Sequence, residues 1–169
     1  FGYFAGFPWF VQFWGRDSCW TIPAVVDYGD FESAKKALKT FAAFQSAEGE
    51  IPNVIHDNIK YNSVDATPLW IIALHRYVTN SGDASFLEEM RDNLLRAINW
   101  CKGRSDDGFM QNGERETWMD TLDRSGKALE IQAFLIEALR CSSDLLKLLG
   151  DGTSREMKEE ANRLEQKFE

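Results

Sequence analysis

The stretch YNSVDATPLWIIALHRYVTNSGDASFLEEM, residues 61–90, contains one whole building unit. A polar segment leads into a helix over 66–80 whose run at 69–74 is apolar on every side, Gly82-Asp83 follows, and an amphipathic helix opens at 84. Glycine serves there as a left-handed C-terminal stop and aspartate as the acceptor that starts the next helix. Pro68 falls in the first turn if Asp65 is the N-cap, a position where a missing N–H has no partner to lose. A helix apolar all round must be buried on all sides, whereas its amphipathic successor needs only one face covered.

The unit recurs on either side. Gly29-Asp30 and Gly150-Asp151 repeat the Gly82-Asp83 punctuation. Apolar residues at helical spacing (Phe31, Ala34, Leu38, Phe41; Phe86, Met90, Leu94, Ala97, Cys101; Ala128, Ile131, Leu135, Leu139) fill in the rest. Together they predict six helices, over 18–28, 31–46, 66–80, 84–103, 127–149 and 153–168. The first, third and fifth carry all-round apolar runs and the others are amphipathic, so the expected fold is all-α, with three helical hairpins arranged as an inner and an outer layer. No strand pattern competes. Pro23, inside the first helix, requires a kink or a later start. The loops entering the inner helices are FWGRDS (13–18), YNSVDATP (61–68) and GERETWMDT (113–121). In an antiparallel hairpin array they emerge at one end, so residues remote in sequence meet on one rim.

Composition narrows the functional class. With 169 residues and 44% hydrophobic content, one domain with one core is expected. A net charge of −8, with acidic residues spread along the chain, argues against nucleic acid or an anionic membrane as partner. No run approaches the roughly 18 apolar residues of a membrane span. The chain opens in mid-pattern at Phe1, without an initiator methionine or a leader segment, which suggests part of a longer polypeptide. Cys19, Cys101 and Cys141 are widely spaced among apolar residues, as buried free thiols in the reducing cytoplasm would be. His56 and His75 lack a ligand-spaced companion, so neither metal nor cofactor is expected.

Candidate chemistry concentrates near the start. Phe1, Tyr3, Phe4, Phe7, Trp9, Phe10, Phe13, Trp14 and Trp20 surround the charged pair Arg16-Asp17. Flat rings stack on the C–H faces of sugars, and fixed charged groups pair with hydroxyls. The same residues would equally build a rigid core with a satisfied ion pair. Beside Arg16 and near a helix start, Asp17 is held ionised and acts as an acceptor, although Asp17 or Ser18 could also cap the helix. Asp65 has a sufficient explanation as an N-cap. Glu114 and Glu116 read as parts of a solvated loop, and Glu130, on an inner helix, needs Arg124 or Lys127 as partner.

Five fragments then fall in order: GFPWFVQFWGRDS (6–18), GEIPN (49–53), YNSVDATPLW (61–70), TWMDT (117–121) and GKALEIQA (126–133). Together they resemble the amylo-α-1,6-glucosidase domain of glycogen debranching enzymes, above all the archaeal and bacterial form. The resemblance implies an (α/α)6 toroid of the six-hairpin glycosidase type, twelve helices in two rings, of which this chain supplies about half. It implies hydrolysis of the α-1,6-linked glucose at branch points of a glycogen-like polysaccharide, without metal. It also implies that Asp120 of TWMD is the general acid, and that Trp14, Arg16 and Asp17 contact the terminal glucose, with Asn62, Asp65 and Trp118 as further substrate contacts. Burial beside Trp118 and Met119 would keep Asp120 protonated. In an inverting site the catalytic base lies roughly 6.5–9.5 Å from the acid, and the resemblance puts it beyond residue 169. The remainder of the polypeptide, or another copy, is then expected to cover the open half-ring. Two alternatives stand beside this one. The first is a related six-hairpin glycosidase acting on trehalose or an α-1,4 chain end; the second is a non-catalytic carbohydrate-binding or scaffold half-ring.

Overall fold

The Gly-Asp repeat organises the chain as its chemistry requires. Gly29, Gly82 and Gly150 all take positive φ. Asp30 accepts a hydrogen bond from the Ser33 amide at 3.0 Å, Asp83 from the Phe86 amide at 3.0 Å and Asp151 from the Thr153 amide at 2.9 Å. Asp30 and Asp83 thus cap the helices that follow, whereas Asp151 engages the Thr153 amide one residue before the last helix begins.

A computed structural model describes residues 1–167. In chain order the elements are β1 (Phe4–Gly6), β2 (Phe10–Trp14), α1 (Gly15–Tyr28), α2 (Phe31–Ala43), β3 (Val54–Ile55) and α3 (Ala66–Ser81). There follow α4 (Ala84–Glu89), α5 (Arg91–Gly103), β4 (Ser105–Asp106), β5 (Phe109–Met110), α6 (Leu129–Leu148) and α7 (Ser154–Gln166). Helix α3 packs between α1 and α6 to form the inner layer, with α2, α4, α5 and α7 outside. Ile22, Leu38, Phe41, Trp70, Leu74, Phe86, Leu94 and Ile131 fill the single core between the layers, all fully buried. The fold is all-α, a half-toroid of the six-hairpin glycosidase type.

Several local expectations are corrected. Strands do form: β1, β2 and β3 make an antiparallel sheet in that order, and β4 and β5 pair as a hairpin. Helix α1 starts at Gly15, earlier than expected, and Pro23 lies in its interior. Helix α2 ends at Ala43, and just beyond it the Gln45 side chain donates to the carbonyls of Gly49 and Asn93. The helix expected over 84–103 is broken at Met90, whose φ of −90° and ψ of 1° leave the helical region. The last helix was expected to reach residue 168, which lies outside the described residues. Among the described residues, no helix is long and apolar enough to cross a membrane.

Candidate active site

Three loops enter the N-termini of α1, α3 and α6, and backbone hydrogen bonds sew them together. Strand β2 runs into α1, and its pairing with β3 sets Phe13 opposite Ile55 and Trp14 opposite Val54. The Gly15 amide donates to the Asn53 carbonyl at 2.7 Å. Only glycine fits there, because a β-carbon would strike the Pro52 carbonyl oxygen. The second loop joins the third where the Val64 amide donates to the Glu116 carbonyl at 2.8 Å. Residues 112–128 close on themselves, since Asn112 and Gly126 each donate an amide to the other's carbonyl at 2.8 Å. The Asn112 side chain seals the base by accepting from the Ala128 amide at 3.0 Å and donating to the Arg124 carbonyl.

A cleft of about 290 Å³ opens on this rim, lined by Ala5, Phe10, Trp14, Arg16, Asp17 and Asp120. Four of the predicted site residues thus meet although they come from two distant segments. Phe10 and Trp14 pack edge to face, 6.1 Å between centroids. Among the described residues, no donor reaches the carboxylate of Asp17 or of Asp120.

Arg16 is anchored from behind. Its Nε donates to Asp65 Oδ2 at 2.6 Å and its Nη2 to Ser63 Oγ at 3.2 Å, while the Ser63 hydroxyl donates to the other Asp65 oxygen. Asp65 is 1% exposed and lies outside the lining of the cleft. It occupies the N-cap position of α3, yet its side chain makes no capping bond. The N-cap of α1 is Trp14, so Asp17 and Ser18 sit inside the first turn and do not cap.

The remaining predicted residues stand apart from the cleft. Asn62 is exposed, and its Oδ1 accepts from Asn53 Nδ2 at 3.1 Å. Trp118 is 55% exposed. Glu130 takes Arg124 as its partner, at 2.7 Å and 3.3 Å, and that guanidinium holds its carboxyl below the usual carboxylate range. Asp120 is exposed, contrary to the expected burial. Trp118 and Leu122 point into solvent around it, so the chain itself supplies little apolar shielding at the tip of the loop. Glu116 corrects another expectation: it is part-buried and bonded to Arg104, where a solvated loop was expected. Ser63 of YNSVDATPLW, Glu116 of GERETWMDT and Asn112 also organise the site, although nothing in their local sequence marks these roles. Among the described residues, no cluster of His, Cys, Asp and Glu is placed to hold a metal ion.

The sequence profile of the amylo-alpha-1,6-glucosidase family matches residues 2–169. The chain belongs to this family. Two trehalases are also similar over a shorter stretch. That of Oryctolagus cuniculus is 30% identical over 97 residues, covering 57% of this chain and 16% of that protein. That of Homo sapiens is 27% identical over 97 residues, with the same coverage. The matched stretch is therefore a small part of the length of these curated relatives. The amylo-alpha-1,6-glucosidase match and the trehalase likeness agree on a glycoside hydrolase family with the six-hairpin helical fold.

Proposed function

We propose that this chain carries the acid side of a glycosidase site that releases α-1,6-linked glucose from branch points of a glycogen-like polysaccharide. The observation that carries the reading is the single cleft in which Asp120 faces Arg16 and Asp17 beside Phe10 and Trp14. Asp120 delivers its proton to the glycosidic oxygen as the C–O bond breaks. Water bonds to the anomeric carbon and gives its proton to a second carboxylate, a role assigned to no residue of this chain. Arg16 keeps Nη1 for a sugar hydroxyl because Asp65 and Ser63 engage its other two nitrogens. Asp17 accepts from a neighbouring hydroxyl, and the rings of Phe10 and Trp14 meet the C–H faces. Asn62 and Trp118 contact the polysaccharide further along the rim, while Asp65 acts through Arg16. Shielding of Asp120 falls to the bound sugar and to whatever covers the open half-ring, the rest of the polypeptide or a second copy. The three buried free thiols suit a cytoplasmic location.

The trehalase likeness favours a second reading, in which the same groups cleave trehalose. Incubating the full-length protein with branched limit dextrin, trehalose and a linear α-1,4 oligosaccharide separates the two. Glucose released from limit dextrin is the expected result. Release from trehalose alone moves the site to the second reading. Binding without release from any of the three leaves a non-catalytic carbohydrate module.

A further inference from the structure

No charged side chain stands between residues 1 and 15, a stretch crowded with aromatic ones. The hairpin of β1 and β2 that it forms is fixed at its base. Phe13 pairs with Ile55 of β3, Phe4 stacks on Phe13 at 5.8 Å between centroids, and Tyr3 and Phe13 pack against the core. The turn is different. Phe7 is 83% exposed and Trp9 is 80% exposed, on either side of Pro8. Among the described residues, no aromatic ring packs on either and no cation covers them. Large rings that the chain itself leaves in water mark a surface made for contact.

The position of the turn indicates what it meets. Ala5 of β1 and Phe10 of β2 line the cleft together with Arg16, Asp17 and Asp120. The hairpin is therefore one wall of the site, with Trp14 at the end next to Arg16 and Phe10 at the end next to the turn. At the usual rise of a strand this wall is about 13 Å long, longer than a single pyranose. Trp9 and Phe7 continue it past the last residue that lines the cleft. With the glucose to be released at the Arg16 end, the rest of the polysaccharide has to leave over the outer edge. A neutral α-1,4-linked chain matches an uncharged aromatic turn, because its C–H faces stack on rings and no cation stands there to draw a phosphate or a carboxylate.

We propose that Phe7 and Trp9 form an aromatic lip that takes the α-1,4-linked chain on the leaving-group side of the scissile bond, so that the site prefers a branched polymer to a small glucoside. Which side of the bond the lip serves rests on the assignment of Asp120 as the acid, whereas its contact with a glucan chain does not. Phe7 and Trp9 set specificity and take no part in bond cleavage, since neither lines the cleft.

The test compares the full-length wild type with a Phe7→Ala, Trp9→Ala double variant and with Trp9→Phe. It measures mobility in native gels containing glycogen, and steady-state kinetics on branched limit dextrin and on α-glucosyl fluoride, whose leaving group carries no chain. Glycogen retards the wild type, and the double variant loses much of that retardation. On limit dextrin the double variant loses on the order of tenfold in kcat/KM, chiefly through KM, as removal of uniform binding does. On α-glucosyl fluoride it changes far less. Trp9→Phe keeps most of the retardation, because a ring remains.

Equal losses on the two substrates would place the rings at the released glucose and overturn the lip, as would retardation and KM that ignore both substitutions. A double variant that melts several degrees lower or changes its oligomeric state also overturns it, by showing the rings packed on the remaining polypeptide or on a second copy. Retardation that depends on Phe7 and Trp9, in a protein that releases no glucose from limit dextrin, upholds the contact with glucan and removes the assignment of Asp120.

Discussion

Arg16 is oriented before any ligand arrives. Held through Nε by a carboxylate that is 1% exposed and through Nη2 by Ser63, the guanidinium would lose little freedom on meeting the proposed sugar. The arrangement makes a sharp demand on stability, because removing the arginine leaves Asp65 buried with only the Ser63 hydroxyl. Arg16→Met should therefore cost about 3–5 kcal/mol in urea unfolding, and Arg16→Met with Asp65→Leu should recover a good part of that loss. A single variant as stable as the wild type would show that the pair carries no buried charge. This is also where the sequence is least explicit. Asp65 precedes Ala66-Thr67-Pro68 as a cap would, and its actual partner lies 49 residues away, a distance no local pattern reports. Glu116 was equally hidden, since a GERE stretch looks the same whether water or Arg104 surrounds it. Asp120, by contrast, stands in a motif that could be read directly, although the shielding expected around it does not come from its own neighbours.

At the level of elements, the approach of α1 to the second loop fixes the cleft. Gly15 opens α1 with its amide on the Asn53 carbonyl and its missing side chain against Pro52. Gly15→Ala should cost about 1–3 kcal/mol in thermal or chemical unfolding, as overpacking does, and should weaken sugar binding because Arg16 and Asp17 move with the helix. Unchanged stability would mean that the two segments separate freely. The inner helices were plain in the sequence because an all-round apolar run has few alternatives, and the Gly-Asp repeat marked where each hairpin turns. The break at Met90 had no such signal, as neither proline nor glycine stands there. Strand β2 is also not legible in the sequence: its aromatic residues read equally as a sugar-binding face, and only Pro8, in the turn at 7–9, separates the two short strands.

For the whole molecule, two layers of helices put three loops on one rim and leave apolar surface on the inner helices uncovered. Trp20 is 57% exposed on α1 and packs edge to face on Phe134 of α6, with Leu129 exposed nearby in sequence. That half-ring was foreseeable from helix count and alternation, whereas which side chains reach the cleft depended on how the loops were sewn. The central claim is that the rim brings a proton donor to a sugar held by Arg16 and Asp17. Its most direct test is the steady-state kinetics of Asp120→Asn in the full-length protein on branched limit dextrin, paired with calorimetric titration of glucose. The expected result is a fall of roughly 10²–10⁴-fold in kcat with glucose affinity preserved. Turnover within a few-fold of the wild type would contradict the account.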